Sequence, residues 1–180
     1  MPASLPTKVG NTPLLKNKLL NNFLDFPNLF LKLEQENPNG SHRDRSIKHQ
    51  ISAKKNPTGI HAISSTGNAA ISANAYAFQK KLKLITFITP NISSAKLAKL
   101  KKTASNLFLT KRPYRLLSYL CYKYKIPSLN ALLDDNSVPA YKEIGYEIFK
   151  KQPHCANIFV FISSGSTFLG IAEAFLSLKK

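Results

Sequence analysis

Residues 59–89 read GIHAISSTGNAAISANAYAFQKKLKLITFIT, and this stretch decides the fold. GIHAIS (59–64) is a short apolar strand, STGN a tight polar loop, and AAISANAYAFQKKL a helix. KLITFIT (83–89) is a second strand, ended by Pro90. Downstream, SSAKLAKLKK (93–102) forms an amphipathic basic helix, NLFLT (106–110) a strand and RLLSYLCYKYK (115–125) a helix. A turn near DDNSVP precedes the helix AYKEIGYEIFKK (140–151); NIFVFIS (157–163) is then a strand, SGST a loop and FLGIAEAFLSLKK a helix. Upstream, GNTPLL (10–15) is a turn and LFLKLEQ (29–35) a strand. The loop NPNG leads into a helix from about Ser41 to Lys55. Ser41 suits the N-cap, with Asp44 three residues on as its capping carboxylate. The alternation predicts an α/β fold, with parallel sheets flanked by helices.

Composition narrows the function classes. Hydrophobic residues make up 43% of the 180, enough for a core, which excludes global disorder. Lys+Arg 26 against Asp+Glu 9 gives a net charge of +17, a field that attracts nucleic acid and anionic surfaces. Only four of the 26 cations are arginine, and the lysines are spread along the chain, so a lysine-rich coding bias explains the charge equally well. Specific nucleic-acid binding is therefore not the expected function. Cys121 and Cys155 are too few for a disulfide framework. His42, His49, His61 and His154 lack zinc-ligand spacing, so no metal site is expected. The amino terminus has no signal-peptide pattern. The uncharged run 155–172 is interrupted by Ser-Ser-Gly-Ser-Thr, which argues against a membrane span. A cytoplasmic protein with no membrane partner is the expectation.

Two loops share one physics. SSTGNAA (64–70) and SSGSTFLG (163–170) each carry a strand directly into a helix. The first helical N–H groups have no partner within the helix, and the dipole there favours an anion. Hydroxyls add donors, and Gly67 and Gly165 let the backbone approach an oxyanion closely. A capped helix with no ligand explains either loop alone. Two of them on one parallel sheet favour a ligand at the strands' carboxyl ends.

These segments together resemble a pyridoxal-phosphate enzyme of the tryptophan-synthase-β type (fold type II), and within it the amino-terminal half of the threonine-synthase branch. GNTPLL is similar to the family's GNTPL, and LKLEQENPNGSHRDR to K-x-E-x-x-N-P-T-G-S-F-K-D-R. SSTGNAAISANAYA is close to the branch's substrate loop, and FISSGSTFLGIAEAF to the phosphate loop V-G-S-G-G-T-L-L-G-I. AYKEIGYEIFKK resembles the segment preceding the family's return to its large domain. The resemblance implies that Asn68 contacts the pyridine ring hydroxyl. It implies that Ser65, Thr66 and Gly67 hold the substrate carboxylate. Ser164, Gly165, Ser166 and Thr167 would surround the phosphate of pyridoxal 5'-phosphate.

The chain departs from the pattern in three places. Arg43 stands at the family's Schiff-base lysine. A guanidinium with a pKa above about 12 is neither a nucleophilic amine nor an efficient base. Lys48, about 500° further round the helix, points elsewhere. Ser163 and Ser166 replace glycines of the phosphate loop, and the added Cβ atoms crowd a close phosphate. The sequence stops at Lys180, where family members continue. This implies a complete small domain (59–150) and an incomplete large one (1–58 and 151–180) with a bare apolar face. The expectation is a threonine-synthase-like protein, truncated and catalytically impaired. Its parent reaction converts O-phosphohomoserine, an amino-acid phosphate, to threonine and phosphate. A second reading keeps activity: another chain supplies the missing half, and the lysine with it. Alternatives are a cysteine-synthase- or dehydratase-like ancestry, and a non-catalytic basic protein that binds anions or nucleic acid.

Overall fold

The computed structural model describes residues 8–53, 59–104, 106–131, 133, 134 and 136–178. Residues 1–7, the expected helix end at Lys55, Asp135 in the turn before residue 140 and the last two lysines lie outside the described residues. The chain packs as two compact units, Arg43–Ser137 and Met1–His42 with Val138–Lys180. The family resemblance implies divisions at 58/59 and 150/151. In the structure the helix after NPNG packs on the one after STGN.

Unit 43–137 contains strands β3 (Ile60–Ser64), β4 (Lys83–Ile88) and β5 (Asn106–Leu109), parallel and in that order. Ala62 lies opposite Ile85, which lies opposite Asn106. The stretch 127–129 extends the sheet beyond β3: the Ala62 amide donates to the Pro127 carbonyl at 3.0 Å, and the Leu129 amide to the Ala62 carbonyl at 2.9 Å. Alternation along the strands divides the side chains between two layers. Ile63, Leu84 and Ile88 pack under α2 (Arg43–Ala53), α3 (Asn68–Gln79) and α4 (Ser94–Lys101). Ala62, Ile85 and Phe87 pack under α5 (Pro113–Tyr124) through Leu117, Leu120 and Cys121. Fully burying each large aliphatic side chain here contributes roughly 1.5–3 kcal/mol. Asn74 of α3 ties helix to sheet, donating to Thr86 Oγ1 at 3.0 Å and to the Ala70 carbonyl at 2.8 Å. The helix expected to open after an N-cap at Ser41 begins at Arg43.

In the other unit β1 (Leu14–Lys16) pairs antiparallel with β2 (Phe30–Lys32), around α1 (Lys18–Phe23). Asn17 caps α1, its side chain accepting from the Leu20 amide at 3.0 Å. Helices α6 (Ser137–Lys151) and α7 (Ser166–Leu178) cross closely at two glycines. A Cβ on Gly170 would lie 2.6 Å from Tyr141 Cβ, and one on Gly145 2.6 Å from Ala174 Cβ. The turn expected over 134–139 is shorter, because Pro139 sits in the first turn of α6, where its missing N–H costs nothing.

The strand expected at 157–163 does not form. Ile158 and Val160 turn inward against Tyr141, Ile144, Ile148 and Ile171, while Phe159 and Phe161 are 77% and 92% exposed. The side chains alternate as in a strand from Ile158 to Phe161, Ile162 being exposed again, but no described strand offers its backbone as a partner. A groove of about 940 Å³ opens instead between β2 and residues 152–159, walled by Leu31, Leu33, Ile158 and Phe159.

Candidate functional site

In unit 43–137, β3 runs through Ser64 into the loop Ser65–Thr66–Gly67, and α3 opens at Asn68. The Ser65 amide donates to the Phe87 carbonyl at 3.2 Å, fixing the loop to the end of β4. The Gly67 amide donates to Ser65 Oγ at 3.2 Å. Gly67 is the N-cap, and its backbone is extended (φ −120°, ψ −153°). A Cβ there would meet only Ser65 Oγ, at 3.9 Å, so neither conformation nor space within the chain demands glycine. Asn68 is exposed, and Ser65, Thr66 and Gly67 are partly buried. The loop therefore offers hydroxyls and the first amides of a 12-residue helix on an accessible surface.

In the other unit, Ser164 and Gly165 lead into α7, whose first residue is Ser166. Gly165 is in the left-handed region (φ +82°), and a Cβ built on it meets nothing within 4 Å. This glycine is required by its backbone conformation and faces open space. Ser166 is buried, and its hydroxyl lies 3.2 Å from Ser164 Oγ. The Leu169 amide donates to the Gly165 carbonyl at 2.9 Å, closing the first turn. No acidic residue stands in the first turn of α7, so none there offsets the positive end of the dipole at Ser166 and Thr167.

Arg43 is the first residue of α2 and is partly buried, and its carbonyl accepts from Ser46 Oγ at 3.2 Å. Asp44, Arg45, Ser46 and Ile47 are buried, whereas Lys48 is exposed. The nearest lysine along this helix thus faces solvent. Tyr76 of α3 has its hydroxyl buried, and burial first, then the charge of Asp44, pushes its ionisation well above the usual tyrosine range. The structure thus gathers Ser65, Thr66, Gly67 and Asn68 at one helix mouth and Ser164, Gly165, Ser166 and Thr167 at another. Among the described residues no group of His, Cys, Asp and Glu could hold a metal, and no helix is long and apolar enough to cross a membrane.

One polar cluster went unread in the sequence. The Lys32 ammonium, with 11% of its side chain exposed, lies 2.5 Å from Glu147, 2.7 Å from the Thr12 carbonyl and against the Thr12 hydroxyl. The Asn11 amide donates to Glu147 at 2.7 Å, and Thr12 Oγ1 to Glu34 at 2.6 Å. The Gly10 amide donates to Asn37 Oδ1 at 3.0 Å, while Asn37 Nδ2 donates to Glu34 Oε2 at 2.9 Å. GNT and KLEQEN thus form one clasp. Lys32 reads as an ordinary strand lysine, since Glu147 lies 115 positions away.

Residues 5–180 match the family described as "Pyridoxal-phosphate dependent enzyme". The fold is that of maize serine racemase (TM-score 0.82, 17% identity, 93% of this chain and 52% of that one). It is also that of a hydrogen sulfide-producing enzyme from Fusobacterium nucleatum (TM-score 0.80, 21% identity, 99% and 64%). Threonine deaminase isoform 2 from Solanum lycopersicum aligns comparably (TM-score 0.81, 16% identity, 93% and 47%). The chain spans between 47% and 64% of the length of these structures. Matched along nearly its whole length, it belongs to the pyridoxal-phosphate dependent enzyme family, whose cofactor is pyridoxal phosphate.

Proposed function

We propose that this is a threonine-synthase-like member of the family that keeps the holding residues and has lost the covalent chemistry. The observation that carries this reading is the mouth of α7. Gly165 is held at φ +82° over open space, beside two serine hydroxyls and the first amides of a 13-residue helix. That donor set fits a phosphate dianion. The loop at α3 fits a carboxylate by the same argument, and the family resemblance gives Asn68 the contact with the cofactor ring. Bound, the cofactor supplies an electron sink for bonds at an amino acid's α-carbon.

Arg43 does not fit the rest of the chemistry. Condensation with an aldehyde and removal of an α-proton both need an amine that can be neutral. A guanidinium is not neutral at any working pH, and it serves as a fixed charge beside bound anions. No catalytic step is assigned to this chain. O-phosphohomoserine or a related amino-acid phosphate is the substrate class of the parent reaction.

Mixing the protein with pyridoxal phosphate tests this directly. We expect reversible binding by equilibrium dialysis, competed by inorganic phosphate. Borohydride should fix the aldehyde only at low, scattered occupancy on exposed lysines, with no single position labelled stoichiometrically in a peptide map. Arg43→Lys should gain stoichiometric labelling at position 43 without gaining turnover of O-phosphohomoserine. Stoichiometric labelling of one lysine in the unsubstituted chain, or no binding at all, refutes the proposal.

The bare segment 157–163 supports a second element of the reading. Its backbone, which pairs with no strand among the described residues, and its exposed Phe159 and Phe161 suit a polypeptide that supplies further strands, such as the other half of this fold. Co-expression with such a half, followed by co-purification, should protect the amides of 157–163 from hydrogen exchange. Unchanged exchange in a stable complex would rule it out.

A further inference from the structure

The positive charge is concentrated in one of the two units. Residues 43–137 hold 17 of the 26 lysines and arginines but three of the nine carboxylates, and so a formal +14 of the chain's +17. Asp44 and Asp134 are buried, so no described carboxylate of this unit faces solvent. Charge that looks evenly spread along the sequence is therefore an almost unopposed field around this one unit.

Helix α5 adds specific chemistry to that field. Of the four arginines, Arg45 is buried and Arg43 partly so, while Arg112 and Arg115 are both exposed, in the cap and first turn of α5. Arg115, Tyr119 and Tyr122 follow at i, i+4 and i+7, so they share one stripe, with Arg112 and Lys123 beside it. The apolar Leu117, Leu120 and Cys121 are taken up by the sheet. Lys123 Nζ sits 5.3 Å from the ring centres of both Tyr119 and Tyr124, and donates to Tyr119 Oη at 2.7 Å. Lys125 Nζ lies 5.2 Å from the Tyr122 ring, which remains 81% exposed. Arg112 to Lys125 spans roughly 20 Å at the helical rise. No described carboxylate pairs with Arg112, Arg115, Lys123 or Lys125.

We propose that the outward face of α5 binds single-stranded nucleic acid, with Arg112 and Arg115 on phosphates and Tyr119 and Tyr122 stacked on bases. Cations interleaved with exposed aromatic rings are what an unpaired strand requires, because every base has a face to stack and every linkage a charge. A duplex keeps its base faces covered, so the tyrosines would gain nothing from it. An anionic membrane selects helices that bury a broad aliphatic face. The outward stripe of α5 offers hydroxylated rings and charges with Leu116 as its one exposed aliphatic residue, Leu117 and Leu120 being committed to the sheet. This surface uses neither helix-mouth loop nor Arg43, so it stands whether or not a pyridoxal cofactor binds.

The test is fluorescence anisotropy of the full chain with a labelled oligothymidylate across a salt series. The matched duplex, and vesicles of phosphatidylserine and phosphatidylcholine, serve as competing probes. Single strands should bind more tightly than duplex, and affinity should fall as salt rises. Arg112→Gln with Arg115→Gln should flatten the log–log salt slope by about 1.4, at roughly 0.7 per phosphate contact. Tyr119→Ser and Tyr122→Ser should each weaken binding roughly five-fold or more at unchanged slope. Lys150→Gln with Lys151→Gln, on α6, should change neither. All of these positions are exposed, and circular dichroism verifies that each variant is folded. Equal losses from the α6 pair would reduce the effect to bulk charge and overturn the proposal. So would tyrosine variants that bind normally, preference for duplex or vesicles, or no binding.

Discussion

Segments 60–64 and 157–163 are nearly the same kind of sequence, and they end differently. In β3, Ile60–Ser64 has β4 on one side and the stretch 127–129 on the other, and both sheet faces are covered by helices. In 157–163 the inward side chains find a core, while the outward ones and the backbone face solvent. A period of two determines which side chains are buried. Pairing depends on a neighbouring strand, which no local pattern encodes. The units also differ in polarity. One clasps a partly buried lysine between carboxylates, and the other, apart from buried Arg45 and partly buried Arg43, leaves its described cations on the surface.

The largest effect should come from the crossing that holds 155–163 in place. A Cβ on Gly170 would meet Tyr141 Cβ at 2.6 Å and the Val138 carbonyl at 2.7 Å, so α6 and α7 must separate to admit it. Gly170→Ala should cost roughly 4 kcal/mol, near the top of the range for one substitution. Hydrogen exchange should speed up in α6 and α7 while β3 and β4 keep their protection. Equal losses in both units would mean that the contrast drawn here is only apparent.

A smaller effect tests the clasp. Lys32→Met removes the ammonium that lies 2.5 Å from Glu147 and against Thr12. Breaking such a partly buried pair costs roughly 2 kcal/mol, between the values for exposed and buried pairs, read as a shift in the urea midpoint. The exposed pair Lys142–Glu173, 2.7 Å apart, is the control, and Lys142→Met should leave the midpoint in place. Equal effects would make the clasp an ordinary surface feature.

The succession β3–α3–β4–α4–β5–α5 was legible because its hydrophobic period switches from two to 3.6 and back between clear breakers. Three things were not legible, each for a physical reason. The pairing of 157–163 is non-local. Gly67 and Gly165 look equivalent in Ser- and Thr-rich loops, yet only Gly165 adopts a conformation that excludes other residues. Lys32 follows strand alternation, and its partner arrives on α6. Charge went astray similarly: evenly spaced lysines say nothing of where the folded chain hides its carboxylates.

The smallest expected effect lies inside unit 43–137, whose interior is not uniformly apolar. The side-chain amide of Gln50 and the hydroxyls of Ser72 and Tyr76 are buried with no hydrogen-bond partner among the described residues. Tyr76→Phe removes one such orphan while keeping the ring against Ile47, Ile51 and Ala73. Stability at neutral pH should stay level or rise by up to about 1 kcal/mol. The alkaline branch is the sharper readout. Burial, then Asp44, raises this hydroxyl above the ordinary value of 10.0, so the folded state resists its ionisation. Its contribution is complete below pH 10 and is lost as pH climbs toward the raised value. The stability advantage of Tyr76→Phe should therefore widen steadily above pH 10, while lysine deprotonation, common to both proteins, cancels in the difference. Superimposable profiles through the alkaline range would show that the hydroxyl reaches water. The α2–α3 interface would then be as open as the bare edge of the other unit.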